Sequence, residues 1–145
     1  MFFTDVVNSG TTPTLDAMLA FTEARHRVLA ENIANIDTPG YQTRHLDPKR
    51  FQKALAGAIA ERKETGSAGL RIEATGEFEQ DATGTLKFTP SDEPAENVLF
   101  HDRTNARIER QMSNLAENAM MHQTATELLA GNYQSLLTAI RGRVS

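Results

Sequence analysis

The sequence predicts a mainly α-helical chain of one domain, in which two long terminal helices form a coiled-coil-like bundle. Two observations carry this prediction. Apolar residues recur at alternating steps of three and four near both ends of the chain, and the middle is rich in Gly, Thr and acidic residues. The alternating steps place side chains along one seam of a helix. A short third helix and an irregular middle segment with at most a small β-hairpin complete the predicted fold.

The C-terminal helix is predicted over residues 104–143, where the periodic pattern is strongest. Asn105 suits the N-cap, because its side chain can accept a backbone N–H of the first turn. Arg141 and Arg143 suit the other end, where cations complement the helix dipole. The predicted seam comprises Ile108, Met112, Leu115, Ala119, His122, Thr126, Leu129, Tyr133, Leu136 and Ile140.

The N-terminal helix is predicted over residues 13–36, after a flexible N-terminus at residues 1–12. Thr12 is the predicted N-cap. Pro13 follows at the first helical position, where its missing N–H is not needed. The predicted seam comprises Leu15, Leu19, Thr22, His26, Leu29, Ile33 and Ile36.

A turn and a short helix are predicted over residues 37–65. The residue before Pro39 disfavours the α region, so the first helix has to end near this point. The stretch Thr38–Tyr41 has the pattern of a type II turn, in which Gly40 takes a positive φ. Asp47 is the predicted N-cap of the short helix. The apolar face of that helix comprises Phe51, Ala54, Leu55, Ala58 and Ile59.

Residues 66–103 are predicted to form a loop or partly disordered insert. Two strand-like fragments, 70–72 and 85–89, allow one hairpin. The carboxylates of this segment are Glu73, Glu77, Glu79 and Asp81. We predict that they form a solvated acidic loop rather than a catalytic pair, because the stretch offers no apolar wall to hold a pocket.

The composition excludes several function classes. The chain of 145 residues contains no Cys, which removes disulfides, thiolate chemistry and Cys-based zinc sites. Its net charge of −4 lacks the basic footprint of a nucleic-acid binder. The four His have no metal-ligand spacing. We therefore predict no enzyme activity, no catalytic residues, no cofactor, no metal, no nucleic-acid partner and no small-molecule substrate.

Both long helices carry more apolar surface than a two-helix hairpin can bury. The apolar residues beside the first seam are Met18, Phe21 and Val28, and those beside the second are Met121, Leu128 and Leu137. A stripe of this width needs a further partner. Either the middle of the chain folds back over it, or other subunits cover it.

Three segments resemble the bacterial flagellar rod and hook proteins. Residues 29–41 read LAENIANIDTPGY, which matches the N-[IV]-A-N-x-x-T-x-G-[YF] pattern that ends the N-terminal helix in that family. Residues 105–112 and 136–142 resemble the two ends of the family's closing helix. The short middle resembles that of a proximal rod protein, since distal rod and hook proteins carry longer β-rich inserts. Two types of short rod protein stay open.

The resemblance implies a structural subunit of the flagellar basal-body rod that packs its N- and C-terminal helices against neighbouring subunits. It implies self-association and, as partners, other rod subunits, membrane-ring proteins and export-gate proteins. It also implies a periplasmic rod location after export without a cleaved signal peptide, and the N-terminus has no signal-like apolar stretch. A stand-alone helical-hairpin adaptor or export chaperone in the cytosol is the alternative.

The expected assembly interface combines both seams with the turn. It comprises Leu15, Leu19, Leu29, Asn32, Ile33, Asn35, Asp37, Thr38, Pro39, Gly40, Tyr41, Ile108, Met112, Leu115, Leu129, Tyr133, Leu136 and Ile140.

Overall fold

The computed structural model describes residues 10–67, 69–92 and 103–142. Over these residues the chain forms three α-helices and four short strands, as the predicted mainly α fold requires. In chain order they are α1 (Thr12–Ala34), β1 (Arg44–His45), α2 (Pro48–Thr65), β2 (Phe78–Gln80), β3 (Leu86–Phe88), β4 (Ser91–Asp92) and α3 (Arg103–Ile140).

The start of α1 differs by one residue from the predicted start. Its N-cap is Thr11 rather than Thr12, and the Thr11 side chain makes no capping bond. The backbone of Thr11 is helical (φ −91°, ψ −10°), whereas a capping side chain needs an extended backbone. Its hydroxyl instead accepts a hydrogen bond from Asn132 Nδ2 of α3 at 2.8 Å. A tertiary contact therefore replaces the local cap.

Both ends of α2 are capped, the first by the predicted residue Asp47. The Asp47 carboxylate accepts hydrogen bonds from the backbone N–H groups of Lys49 and Arg50 at 2.8 and 3.4 Å. At the other end Gly66 has a φ of +65° and donates its N–H to the Arg62 carbonyl, which is a typical glycine C-cap. The residues that α2 buries are Phe51, Leu55 and Ala58, while Ile59 of the predicted apolar face is 42% exposed.

Aromatic packing joins α1, α2 and the middle of the chain. The rings of Phe21 and Phe51 are stacked, with centroids 4.2 Å apart. Phe78 packs edge-on against Phe51 at 5.5 Å, and Phe88 packs edge-on against Phe21 at 5.9 Å. Offset and edge-on ring pairs stabilise a core beyond their buried area. The middle segment therefore supplies part of the core.

The middle segment contains a hairpin of β2 and β3, whose Phe78 and Phe88 are paired. Its second strand lies within the predicted fragment 85–89, but its first strand is residues 78–80 rather than the predicted fragment 70–72. Outside its strands the segment 69–92 is irregular, as predicted, but it is packed against the rest of the fold, because Leu70 and Ile72 are buried in the core cluster. Their fragment is extended but forms no strand; it is held by the side chain of Gln80, which bonds the Ile72 N–H and the Leu70 carbonyl. Isolated apolar residues without a period gave no signal of this packing.

The turn between β2 and β3 is organised by Asp81. Its carboxylate accepts hydrogen bonds from the backbone N–H groups of Thr83 and Thr85 and from the Thr83 hydroxyl. The Thr83 hydroxyl is the main cause of a lowered pKa at Asp81, and the Thr85 N–H adds to it. These bonds stabilise the charged carboxylate, so acid weakens the turn. The stability that they add is fully present above the ordinary aspartate pKa and is lost as the pH falls through the lowered pKa of Asp81.

A second strand pair ties the two halves of the chain together. β1 and β4 are antiparallel, with Arg44 opposite Asp92 and His45 opposite Ser91. The sequence showed no alternation in either two-residue strand, so this pairing was not predicted. It places the chain that leaves α1 against the end of the middle segment.

The two long helices pack against each other in antiparallel orientation. Contacts pair residue 11 with 132, 22 with 118, and 32 with 111. α3 begins two residues before the predicted cap Asn105, and Arg143 lies outside the described residues. In the described part of the chain, no helix has the length and apolar character for a membrane crossing.

Candidate functional site

The face of α3 that packs on α1 is centred on Gln111, Asn118 and Ala125, which are buried and spaced seven residues apart. The predicted seam is therefore divided. Met112 and Tyr133 of that seam are 52% and 44% exposed. Half-buried positions of the seam are Ile108, Leu115, Leu129 and Leu136. The apolar period in the sequence marks the larger apolar side chains. The contact between α1 and α3 is instead made by the small side chain of Ala125 and by the amides of Gln111 and Asn118, which form hydrogen bonds across it.

Polar contacts across the helix pair converge on Thr22, whose side chain is fully buried. Asn118 Nδ2 donates to the Thr22 carbonyl at 2.8 Å, and His122 Nδ1 lies 2.9 Å from Thr22 Oγ1. Because the Thr22 hydroxyl donates to the Leu19 carbonyl, we assign Nδ1–H of His122 as the donor to Thr22. His122 therefore makes a specific hydrogen bond across the helix pair, although like His26 it is largely exposed.

Arg25 is the most deeply buried cation described on the helix pair, with 5% of its surface exposed. Its Nη2 lies 3.8 Å from the Glu117 carboxylate, and its Nη1 has no hydrogen-bond partner among the described residues. Burial lowers the pKa of Arg25, against the opposing effect of Glu117 and Asp47. Arg25 also forms part of the wall of an open cleft of about 450 Å³. Sequence periodicity did not single out this residue.

The carboxamide of Asn32 holds the chain that follows the turn against α1. Its Oδ1 accepts hydrogen bonds from the Arg44 N–H and the Tyr41 hydroxyl, both at 3.0 Å. Its Nδ2 donates to the Arg44 carbonyl at 2.6 Å and lies 3.5 Å from Gln111 Oε1. Asn32 is 1% exposed. The Asn32 side chain thus forms hydrogen bonds with both the backbone N–H and the backbone carbonyl of Arg44, twelve positions later in the chain.

The turn after α1 has the predicted geometry. The Tyr41 N–H donates to the Thr38 carbonyl at 3.2 Å, and Gly40 has a φ of +77°, as position three of a type II turn requires. Asn35 caps α1 with its backbone N–H and donates its side-chain Nδ2 to the Glu31 carbonyl. The exposed positions of the turn are Asp37, Thr38, Pro39 and Gly40.

The α1 residues of the expected interface lie mostly inside the subunit. Leu15 and Leu29 are 6% and 4% exposed, and Asn32 is buried with them. Leu19 and Ile33 are half-buried. In this conformation the first three side chains stabilise the subunit itself, so a neighbouring subunit has access chiefly to the turn and to α3.

Exposed apolar surface is concentrated on α3. A set of positions at steps of four and three, which we call the outer stripe, lies on one exposed face. The outer stripe comprises Met112, Ala116, Ala119, Gln123, Thr126, Ala130, Tyr133, Leu137 and Ile140. None of these residues is charged, and between residues 118 and 140 the sequence contains only one charged residue, Glu127. The solvent face of a surface helix is ordinarily charged, so this composition is typical of an interaction surface.

Glu77 departs from the predicted solvated acidic loop. Its side chain is 3% exposed, and it accepts hydrogen bonds from Ser91 Oγ at 2.6 Å and from the Asp47 N–H at 2.9 Å. Arg50 and His45 lie 3.7 and 3.8 Å away. This carboxylate therefore joins the start of α2 to the β1–β4 pair. Its partners lie 14 to 32 residues away in the chain, so no local pattern revealed it.

The described residues contain no group of three or more His, Cys, Asp or Glu side chains with the geometry to hold a metal ion. The one deeply buried carboxylate of the former acidic cluster is occupied by structural hydrogen bonds. The described surfaces therefore offer an uncharged helical face and a turn of defined conformation for contact with another molecule.

The described fold combines two long terminal helices with an exposed stripe and a defined turn, the features expected of a structural subunit. A family model described as "Flagella basal body rod protein" matches residues 20–42, which include the end of α1 and the turn. The match coincides with the segment in which the sequence resembled flagellar rod proteins. That description is of a structural component and not of an enzyme.

Several proteins to which this chain is similar are named flagellar basal body rod protein FlgB. The FlgB of Salmonella typhimurium is 26% identical over 143 residues, which cover 88% of this chain and 96% of that protein. The FlgB of Escherichia coli is 28% identical over 139 residues, covering 88% and 95%. The FlgB of Bacillus subtilis is 26% identical over 134 residues, covering 92% and 95%. The predicted likeness to a short proximal rod protein is confirmed, and the cytosolic adaptor is not favoured.

Proposed function

We propose that this chain is a structural subunit of the bacterial flagellar basal-body rod and that it assembles by packing the outer stripe of α3 against helices of neighbouring subunits. The observation that carries the proposal is the outer stripe itself. Tyr133, Leu137 and Ile140 are 44%, 48% and 68% exposed, whereas the buried contact of α3 with α1 is made by Gln111, Asn118 and Ala125. Covering the remaining exposed surface contributes on the order of 1 kcal/mol per large residue.

The turn at residues 37–40 is the second proposed contact region. Its four residues are exposed, and the Asn32 bonds hold it in one position relative to α1. A contact made by a rigid turn requires less ordering on binding than one made by a mobile loop. Within the expected interface, we therefore assign the turn and Met112, Tyr133 and Ile140 to subunit contacts.

Partners and location follow from the likeness to FlgB proteins. The proposed partners are further copies of this chain, other rod subunits, and the membrane-ring and export-gate proteins at the base of the rod. The proposed location is the periplasmic rod, reached by export without a cleaved signal peptide. Isolated basal bodies from the source bacterium, probed for this chain by mass spectrometry, test this location; its consistent absence from them would contradict the proposal.

The assembly surface is tested by Leu137→Asp. The variant is expected to leave the free energy of unfolding of the monomer within about 0.5 kcal/mol, because Leu137 is exposed. It is expected to abolish concentration-dependent association and swimming, because an unpaired carboxylate would be buried at the contact. Light scattering against concentration and motility assays measure both effects.

Thr138→Asp is the matched control, since Thr138 is the next residue, is exposed and lies outside the outer stripe. It introduces the same charge and should leave association and motility nearly normal. Wild-type association by Leu137→Asp, or equal loss in both variants, would contradict the outer stripe as the contact surface.

A further inference from the structure

The buried guanidinium of Arg25 has hydrogen-bonding capacity that the subunit does not use. Its side chain is 7% exposed, and its ion pair is with Glu117, at 3.8 Å and with 56% of that side chain exposed. Asp47 is a second carboxylate whose charge acts on Arg25. Nη1 has no partner among the described residues. An unsatisfied donor in a buried cation is costly, so a partner for this group would be bound favourably.

The cleft beside Arg25 has room for such a partner. It is open to solvent, encloses about 450 Å³, and lies between α1, the start of α2 and α3. Arg44 and Lys49 add two cations to its wall, while Asp47 and Glu117 add two carboxylates. With Arg25, the lining holds three cations and two carboxylates, and Arg44 is already paired with Glu31 at 2.7 Å, so the excess positive charge open to a ligand is at most one. That balance suits a single negative charge better than a dianion.

The remaining lining indicates the shape of the ligand. Val28, Leu46 and Pro48 supply apolar wall, and Gln111 and Asn114 supply amide groups. A short aliphatic chain can contact the apolar wall while its terminal carboxylate faces the guanidinium. The planar fork of arginine matches a carboxylate with two parallel hydrogen bonds.

We propose that the Arg25 cleft is a binding site for an aliphatic carboxylate, which pairs with the Arg25 guanidinium and displaces its contact with Glu117. The carboxylate is either an acidic side chain of a neighbouring protein subunit or a free small carboxylate. An acidic side chain of a neighbouring subunit as the ligand rests on the proposed rod function. Binding of a small carboxylate by the isolated chain does not depend on that function, so failure of this inference leaves the proposed function standing.

The test follows the guanidinium Nε–H resonance of Arg25 by NMR in the full chain. The probes are acetate and glutamate capped by N-acetyl and amide groups, with equally capped glutamine as the neutral control. Both carboxylates are expected to shift the resonance saturably, and capped glutamine is not. Tighter binding of capped glutamate supports an acidic side chain as the source, and equal binding of acetate supports a free carboxylate.

The decisive variant is Glu117→Gln, which removes the internal competitor from a half-exposed position and keeps its shape. It is expected to tighten binding of capped glutamate by about two- to fivefold, the range that corresponds to an exposed ion pair. Glu127→Gln, on the same helix and away from the cleft lining, is the matched control and should not change binding. Arg25→Lys, which keeps the charge and loses the fork, should weaken it.

Three results would overturn the inference. The first is no saturable shift with either carboxylate in both the wild type and Glu117→Gln. The second is weaker binding in Glu117→Gln, which would show that Glu117 assists rather than competes. The third is that inorganic phosphate binds more tightly than capped glutamate, which would assign a different ligand class. Since Glu117→Gln alters an exposed side chain, the test does not depend on whether Arg25→Lys folds.

Discussion

The carboxamide of Asn32 joins three parts of the chain at one buried point. Its oxygen accepts from the Arg44 N–H and the Tyr41 hydroxyl, and its nitrogen donates to the Arg44 carbonyl and approaches Gln111. A side chain with both a donor and an acceptor is needed here, because it pairs with both backbone groups of the same residue. The residue at the start of the motif therefore acts inside the subunit.

Asn32→Ala is expected to lower the free energy of unfolding by about 2–4 kcal/mol, since it leaves the N–H and the carbonyl of Arg44 without their partner. Tyr41→Phe removes only one of the bonds to Asn32 and should lower it by about 0.5–1.5 kcal/mol. Urea unfolding followed by circular dichroism measures both. Equal effects of the two variants would show that the Arg44 bonds contribute little.

Glu77→Gln is expected to destabilise the chain by about 1.5–3 kcal/mol, because two hydrogen bonds to a buried carboxylate lose their ionic character and Gln cannot accept at both atoms. Glu79→Gln, two residues on and exposed, should change stability by no more than about 0.5 kcal/mol. Thermal and urea unfolding provide the comparison. A stability loss at Glu79 equal to that at Glu77 would argue against the structural role of Glu77.

At the scale of elements, the turn after α1 depends on backbone conformation more than on side-chain packing. A side chain at Gly40 would meet no atom within 4 Å, yet its φ is +77°. Steric crowding is therefore not the obstacle to substitution. The obstacle is the left-handed conformation, which β-branched residues rarely adopt.

Gly40→Val is expected to cost about 1–2 kcal/mol or to shift the turn to another conformation. We expect helix content to remain near that of the wild type, because the turn lies outside the helices, while assembly and motility are lost. Circular dichroism and a motility assay separate the two effects. Gly57→Ala is the control: Gly57 lies within α2 with open space around it, and the change should stabilise by up to about 1 kcal/mol. Normal motility of Gly40→Val would sink the proposed role of the turn.

At the scale of the whole molecule, burial is uneven along the helix pair. α1 buries nine residues, whereas Ala125 is the last buried residue described on α3. Beyond it, Asn132 makes the contact with Thr11. The far end of α3 is therefore held by few contacts in the isolated subunit, and we expect neighbouring subunits to stabilise it by mass action.

Hydrogen exchange tests this view of the free subunit. Amides in residues 129–140 should exchange much faster than those in residues 21–29 at low concentration, because local opening there exposes little apolar surface. Protection of residues 129–140 should rise as the protein concentration increases. Uniform protection of α3 in dilute monomer would falsify the proposed dependence on neighbours.

Local chemistry explains which elements were predictable. The Asp47 cap and the turn at Gly40 were both found from sequence, because each depends on residues within a few positions. The motif at residues 29–41 identified the class of protein, although it did not reveal that Asn32 is buried. The Glu77 bonds and the β1–β4 pair were missed, since their partners are distant in the chain.

The sequence was sufficient to predict the two terminal helices, because apolar residues at alternating steps of three and four indicate a helix and not a strand. The face of α3 that packs against α1 became evident only from the folded structure. Gln111, Asn118 and Ala125 occupy the contact, since amide and small side chains allow close approach and hydrogen bonds across the pair. The larger apolar residues of the outer stripe are left exposed, where a neighbouring subunit can cover them; they are Met112, Tyr133, Leu137 and Ile140.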